Sequence, residues 1–180
     1  VLGPDVEFII NAIDETNAVV RPEKIIRAIR AAGGKALIGL VGVQSNQFPR
    51  AIDLARPFRA AGIPVCIGGF HASGSMAMLE GTPPEVQAAV DMGISFFLGE
   101  AEDGRLDEVF RDAWEGRFKA FYDWRDKMPN LQGTPIPVLG RDQVNRTYGS
   151  YSSFDLGRGC PFIGLDDLPG HALVAVVLRG

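Results

Sequence analysis

Residues 36–69 read ALIGLVGVQSNQFPRAIDLARPFRAAGIPVCIGG, and their pattern decides the fold class. The stretch opens with a short apolar run, continues with apolar residues at helical spacing, and closes with a second short apolar run. Such runs predict buried strands, and the spacing between them predicts a helix that ends at Gly62. A strand, a helix and a strand in this order form a unit whose two strands run parallel.

The same alternation continues on both sides of this stretch. On the amino-terminal side, Pro22 predicts the start of a helix, because the first turn tolerates a missing N–H, and Gly33 predicts its end. The further predicted elements are strands at 6–13, 94–98 and 119–122, and helices at 22–32, 85–92 and 106–114. Strands that alternate with helices predict an α/β fold with a doubly wound parallel sheet, of the Rossmann or flavodoxin-like type.

Composition narrows the class of protein. The chain has 180 residues, of which 46% are hydrophobic and 22% charged, as expected for a globular domain with a core. The net charge of −4 argues against a general nucleic-acid or anionic-membrane binder, and no apolar run is long enough to span a bilayer. Cys66 and Cys160 are too few for a disulfide framework. We therefore expect a cytoplasmic protein whose partner is a small-molecule cofactor.

The predicted strands place four loops where a ligand would bind. In an open parallel sheet, ligands bind at the carboxyl ends of the strands. The loops that leave the predicted strands at these ends are 14–17, 44–47, 68–74 and 99–104. They contain glycines, amides and hydroxyls, which suit a large hydrogen-bonded ligand better than a triphosphate. The glycine patterns of a dinucleotide-binding fold and of a P-loop are both missing.

Three segments resemble the cobalamin-binding domain at the N-terminus of many radical S-adenosylmethionine proteins. They are residues 39–45 (GLVGVQS), 68–71 (GGFH) and 97–102 (FLGEAE). In such domains a serine-containing loop and a Gly-Gly turn approach the nucleotide tail of the corrinoid, and a Gly-Glu loop lines the same edge. The resemblance implies cobalamin as the cofactor, with these binding residues: Ser45, Gly68, Gly69, Phe70, His71, Gly99 and Glu100.

A later segment resembles the start of the catalytic barrel in the same proteins. Residues 152–162 read SSFDLGRGCPF, and a Gly-Cys-Pro-aromatic sequence there opens a C-x-x-x-C-x-x-C motif that holds a four-iron four-sulfur cluster. Cys160 matches the first metal ligand, but Gly164 and Asp167 stand where the other two cysteines belong. The resemblance implies an intact parent that uses this cluster and S-adenosylmethionine for methyl transfer or radical rearrangement. We expect the present chain to be truncated at the cluster loop and catalytically inactive.

The resemblance also implies a domain organisation. We expect a cobalamin-binding-like domain at 1–125, a connector at 126–150, the start of a truncated barrel at 151–162 and an atypical tail at 163–180. The predicted strand 6–13 resembles the second strand of the family, so we expect the first strand and helix to lie upstream of Val1. The Asp-x-His-x-x-Gly loop that binds cobalt in many cobalamin enzymes is absent. Binding would therefore not use a histidine on cobalt.

Each of these signals also has a simpler structural interpretation. A Gly-Gly pair after a buried strand forms ordinary tight turns, Ser45 can cap a helix, and Cys66 within an apolar strand is a packed thiol. Two other functions stay open. One is an interaction or scaffolding domain of the same fold that binds no corrinoid, and the other is a small-molecule hydrolase that uses Ser73 and His71.

Overall fold

The computed structural model describes residues 2, 6–15, 18–33, 35–130, 132–134 and 141, together with the backbone of 172–179. Strands and helices alternate along most of the described chain. The elements are β1 (Glu7–Asp14), α1 (Pro22–Ala32), β2 (Lys35–Val41), α2 (Phe48–Ala60), β3 (Val65–Gly68), α3 (Phe70–Met78), α4 (Pro84–Asp91), β4 (Ile94–Leu98), α5 (Leu106–Glu115), β5 (Phe121–Asp123) and β6 (Ala172–Arg179). Segment 151–162, predicted as the start of a barrel, and Cys160 lie outside the described residues.

The described strands form one sheet in the order β1-β6-β2-β3-β4-β5. Strands β2, β3, β4 and β5 are paired in parallel, each with its neighbour in the chain. Helices flank this four-stranded parallel part on both faces. The predicted α/β fold with a parallel sheet is therefore confirmed for this part, and it is compatible with a Rossmann or flavodoxin-like arrangement.

The core divides according to the two-residue period of the strands. On β2, Ile38 and Leu40 belong to one buried cluster, to which helices α1 to α4 contribute, and Leu37 belongs to a second cluster with α5. Neighbouring strands repeat this division, so both faces of the parallel part are covered and its strands are apolar almost throughout. Cys66 points into the second cluster, where burial raises the pKa of the thiol to about 12. It is the packed thiol that the simpler interpretation predicts.

The sheet differs from the prediction at its first strand. We predicted that β1 belongs to a wholly parallel sheet, but β6 lies between β1 and β2 and runs antiparallel to both. The tail that we called atypical thus contributes a central strand. Its sequence, ALVAVVLR, is a continuous apolar run, which suits a strand with a neighbour on each side. Strands β1 and β2 still point in the same direction.

Helix α3 is a second difference from the prediction, because the sequence patterns predict no helix between β3 and α4. Its sequence, FHASGSMAM, lacks the apolar periodicity of an amphipathic helix, and Gly74 lowers its intrinsic helix propensity. The helix is nevertheless anchored to the core through His71 and Ala72, which are both buried. Tertiary packing therefore outweighs the weak local preference.

Candidate functional site

The loops that follow β2, β3 and β4 meet at the carboxyl edge of the sheet. The Val43 N–H donates to the Gly68 carbonyl at 3.0 Å, and the His71 N–H donates to the Val43 carbonyl at 3.0 Å. The Gly99 N–H donates to the Ser73 hydroxyl oxygen at 3.1 Å. These bonds join the three loops that we predicted to share one edge.

His71 and Ser45 form the polar centre of this edge. His71 lies in the first turn of α3 with 9% of its surface exposed, and its Nδ1 is 3.3 Å from the Ser45 hydroxyl oxygen. The imidazole also packs against the Phe48 ring, with 4.2 Å between centroids. Burial lowers the pKa of His71 below its usual value, and the nearby Glu85 carboxylate opposes this shift only in part. The ring is therefore neutral at neutral pH.

In the neutral ring only Nδ1 has a hydrogen-bond partner. With its proton on Nε2, which lies 4.0 Å from the Glu85 carboxylate, Nδ1 accepts a hydrogen bond from the Ser45 hydroxyl. The hydrolase interpretation instead paired His71 with Ser73. In the structure the Ser73 hydroxyl oxygen accepts a hydrogen bond from the Gly99 N–H, and the hydroxyl next to His71 belongs to Ser45.

Gly69 is glycine because the chain itself comes too close for a side chain. Its backbone has φ +140° and ψ −176°, a conformation that is nearly restricted to glycine. A Cβ atom built there would lie 2.2 Å from the Val43 nitrogen. At Gly68, by contrast, a Cβ atom would meet only Phe97, at 3.7 Å. The internal contact with Val43 thus accounts for Gly69 without a ligand.

The loop after β4 is fixed in a similar way. Gly99 has φ +98°, and a Cβ atom there would lie 3.0 Å from the Trp124 backbone. Arg105 is buried and donates to the carbonyls of Glu100, at 3.0 Å, and Lys127, at 2.6 Å. Arg105 therefore positions the loop that contains Gly99 and Glu100. The sequence carries no signal for this role, because an arginine just before a helix is usually a solvated surface residue.

Two features of the edge are not explained by the packing of the chain. Within the described residues, the buried side-chain nitrogens that lack a hydrogen-bond partner are His71 Nε2 and Trp124 Nε1. Trp124 directly follows β5, and its backbone N–H donates to the Leu98 carbonyl at the carboxyl end of β4. Its side chain packs against the second cluster, whereas the His71 ring packs against Phe48 of the first cluster, on the other face of the sheet. Phe70, at the start of α3, is 59% exposed although its ring is apolar. The edge thus combines unused donors with an exposed aromatic surface.

The predicted loop after β1 joins the edge through an ion pair. Glu15 accepts hydrogen bonds from the guanidinium of Arg50 in α2, and this contact raises the pKa of Arg50. Because the cation is neutralised by Glu15, the pair contributes little net positive charge to the edge.

The part of the chain that the structure describes offers no obvious metal centre. No group of three or more histidine, cysteine, aspartate or glutamate side chains there could hold a metal ion. Nor does any helix among those residues have the length and apolar character needed to cross a membrane.

None of the protein-family models, curated proteins and solved structures with which the chain was compared matches it.

Proposed function

We propose that the carboxyl edge of the sheet binds a corrinoid, and that the chain is the cobalamin-binding domain of a radical S-adenosylmethionine protein. One observation carries the proposal: the Ser45 hydroxyl lies 3.3 Å from the His71 ring at this edge, and the neighbouring residue Phe70 has an exposed ring. Ligands of open α/β sheets bind at the carboxyl ends of the strands, beside the point where the strand order reverses. The loop with Ser45 leaves β2. Strand β2 borders the position filled by β6, and β1 lies on the other side of that position, so the chain order changes at this point of the sheet.

The donor chemistry of the edge suits a corrinoid. This cofactor is large, carries many amide groups and ends in a nucleotide tail, so it needs hydrogen-bonding groups and apolar surface more than cations. The Ser45 hydroxyl can bond to the tail, and the Phe70 ring supplies an apolar face. When bound, cobalamin would supply the methyl-transfer or radical-rearrangement chemistry of the parent enzyme. The residues of this chain would only bind and orient it.

His71 acts in this proposal by positioning Ser45. Its ring is held between Phe48 and the Ser45 hydroxyl, and 9% exposure leaves it little access to a cobalt atom outside the fold. A four-iron four-sulfur cluster does not fit this chain, which has two cysteines, and Cys66 is buried within β3. In this proposal the cluster and S-adenosylmethionine would be held by the intact parent protein and not by the residues of this chain.

The alternative is a scaffolding or interaction domain of the same fold that binds no corrinoid. A specific observation favours it: Gly69 and Gly99 are accounted for by their close approach to Val43 and Trp124. Two of the glycines that carry the resemblance therefore need no ligand. A binding experiment separates this alternative from the corrinoid proposal.

The test is a titration of the chain with hydroxocobalamin, followed by absorbance and by equilibrium dialysis. The chain should bind with modest affinity, and the spectrum should be that of cobalt without a histidine ligand. Ser45→Ala should weaken binding about fivefold, since a neutral hydrogen bond contributes about 1 kcal/mol. Ser75→Ala is the matched control, because it removes a hydroxyl from the same helix as His71 but outside the proposed site. It should bind hydroxocobalamin as tightly as the unsubstituted chain does.

Two results would contradict the proposal in different ways. An absence of binding at millimolar cobalamin would favour the scaffolding alternative. Tight binding with the spectrum of histidine-ligated cobalt, lost in His71→Ala, would show that His71 contacts the metal and that its role as a positioning residue is wrong.

A further inference from the structure

The position between β1 and β2 is filled by β6, the last described strand of the chain. Both strands pair antiparallel with β6, so they point in the same direction, and α1 connects them across one strand position. In the flavodoxin-like order 2-1-3-4-5, the second and third strands are separated in this way by the first. The run from β1 to β4 follows this order, with β6 at the position that the first strand has in it.

Strand β6 fills this position in the reverse direction. Ala172 lies opposite Asp14 and Val41, and Arg179 lies opposite Glu7. Every residue of β6 has a partner on β1, so its backbone is paired over its whole length. Of the strands that the structure describes, β6 is the one that runs against the rest of the sheet. The position therefore accepts an apolar strand even when the direction is reversed.

The attachment of β1 to the described sheet depends on this strand. Strand β1 pairs with no other described strand, and removal of β6 would leave the edges of β1 and β2 with unpaired N–H and C=O groups. Beside the position, Phe8 is 36% and Ile10 62% exposed on the same face of β1. Open edges next to exposed apolar side chains are favourable sites for the addition of a strand.

We propose that the position between β1 and β2 is a strand-acceptor site, and that residues 172–179 of a second copy of this chain can fill it in place of the chain's own β6. The second copy is the chosen partner because it carries the one segment that the structure shows to fit. Residues 124–171 separate β5 from β6, so the strand is delivered by a long connection rather than by a tight turn. This inference is independent of corrinoid binding.

The tether sets the conditions under which exchange occurs. A strand that belongs to the same chain competes at an effective concentration of about 1 mM, so exchange becomes appreciable only when the protein concentration approaches this value. Unfolding and refolding two chains together removes the kinetic barrier to the release of each chain's own strand, while the tether still competes. Mixed chains refolded at about 1 mM should therefore contain exchanged pairs.

The direct test adds one cysteine to each of two 180-residue chains in a Cys160→Ser background, in which the remaining Cys66 is buried. A chain with Asp14→Cys is refolded with a chain that carries Ala172→Cys, and a short thiol cross-linker is then added. These positions are opposite each other in the register, so a cross-linked dimer should form. The matched control replaces Asp14→Cys by Glu7→Cys, at the other end of β1 and about 23 Å away along the strand. It should give less than a tenth as much dimer.

A peptide experiment tests the same site without a dimer. A labelled peptide of residues 171–180 is added to the unsubstituted 180-residue chain and to its variant Val176→Pro. Proline in a central strand removes a ladder hydrogen bond and so weakens the chain's own β6. The peptide should bind the variant about tenfold more tightly than it binds the unsubstituted chain, because the chain's own β6 no longer competes for the position. A peptide with the same proline should bind neither protein.

Two outcomes would overturn the proposal. One is equal cross-linking, or none, in the two cysteine pairs. The other is a Val176→Pro chain that fails to take up the peptide while hydrogen exchange shows that the amides of β2 to β4 are still protected, since the rest of the sheet would then be folded and the acceptor position available.

Discussion

The substitution Gly69→Ala tests how closely the loops after β2 and β3 approach each other. The backbone conformation at Gly69, φ +140° and ψ −176°, costs a residue with a side chain about 1–3 kcal/mol. The added Cβ would lie 2.2 Å from the Val43 nitrogen and 2.7 Å from the Gly42 carbonyl carbon, so the backbone must also move. Overpacking of this kind costs about 1–3 kcal/mol. We expect the free energy of unfolding to fall by about 4 kcal/mol in total.

The assay is urea unfolding of the variant beside a matched glycine substitution. Gly33→Ala also places a side chain at positive φ, +67°, but nothing lies within 4 Å of the new Cβ, so it should cost only about 1 kcal/mol. With a denaturant slope of about 2 kcal/mol/M, the midpoint of Gly69→Ala should lie about 1.5 M below that of Gly33→Ala. Equal midpoints would refute the reasoning. A Gly69 variant that lost corrinoid binding would report on this packing and not on the ligand.

Three further predictions follow from the buried polar groups and the cysteines. The Tyr122 hydroxyl donates to the buried Asp112 carboxylate at 3.1 Å, so Tyr122→Phe should lower the free energy of unfolding by about 1–3 kcal/mol in the same urea assay; a loss below about 0.5 kcal/mol would contradict this. Burial lowers the folded-state pKa of His71 below 6.5, so the unfolded chain binds the proton first and stability falls as the pH drops from 6.5 towards the folded pKa. His71→Gln should remove this part of the decrease between about pH 7 and about pH 5, and identical pH profiles would show that His71 does not contribute. Reconstitution with iron and sulfide should give no stable cluster, because Cys160 and the buried Cys66 cannot supply three thiolates; a brown protein with stoichiometric iron would disprove this.

Local patterns predicted the elements whose formation depends on local chemistry. Helix α1 begins at Pro22, as predicted, and ends where Gly33 adopts a left-handed conformation. The strands of the parallel part were predicted from short apolar runs, because strands buried on both faces need apolar residues on both sides. The convergence of their loops followed from a rule of topology, namely that the carboxyl ends of parallel strands share an edge.

Contacts between distant residues could not be predicted from local patterns. The run ALVAVVLR is compatible with a strand, but its neighbours depend on which edges of the sheet are open, and this is a property of the whole fold. The pairing of His71 with Ser45 depends in the same way on the distance between two loops. Arg105 is buried because the carbonyls of Glu100 and Lys127 converge on it from separate segments.

The glycines at the edge and its unused donors differ in what they say about function. A glycine such as Gly69 is the signature of a close approach, but the approaching group can be a ligand or the chain itself, and here Val43 occupies the space. A buried donor without a partner is different, because each one costs about 1–3 kcal/mol and the fold gains nothing from it. Among the described residues, His71 Nε2 and Trp124 Nε1 are such donors, on opposite faces of the sheet, and the Phe70 ring beside His71 in the chain is 59% exposed. Since departures from well-satisfied packing are expected where function requires them, these side chains are stronger indicators of a binding site than the glycines that first pointed to it.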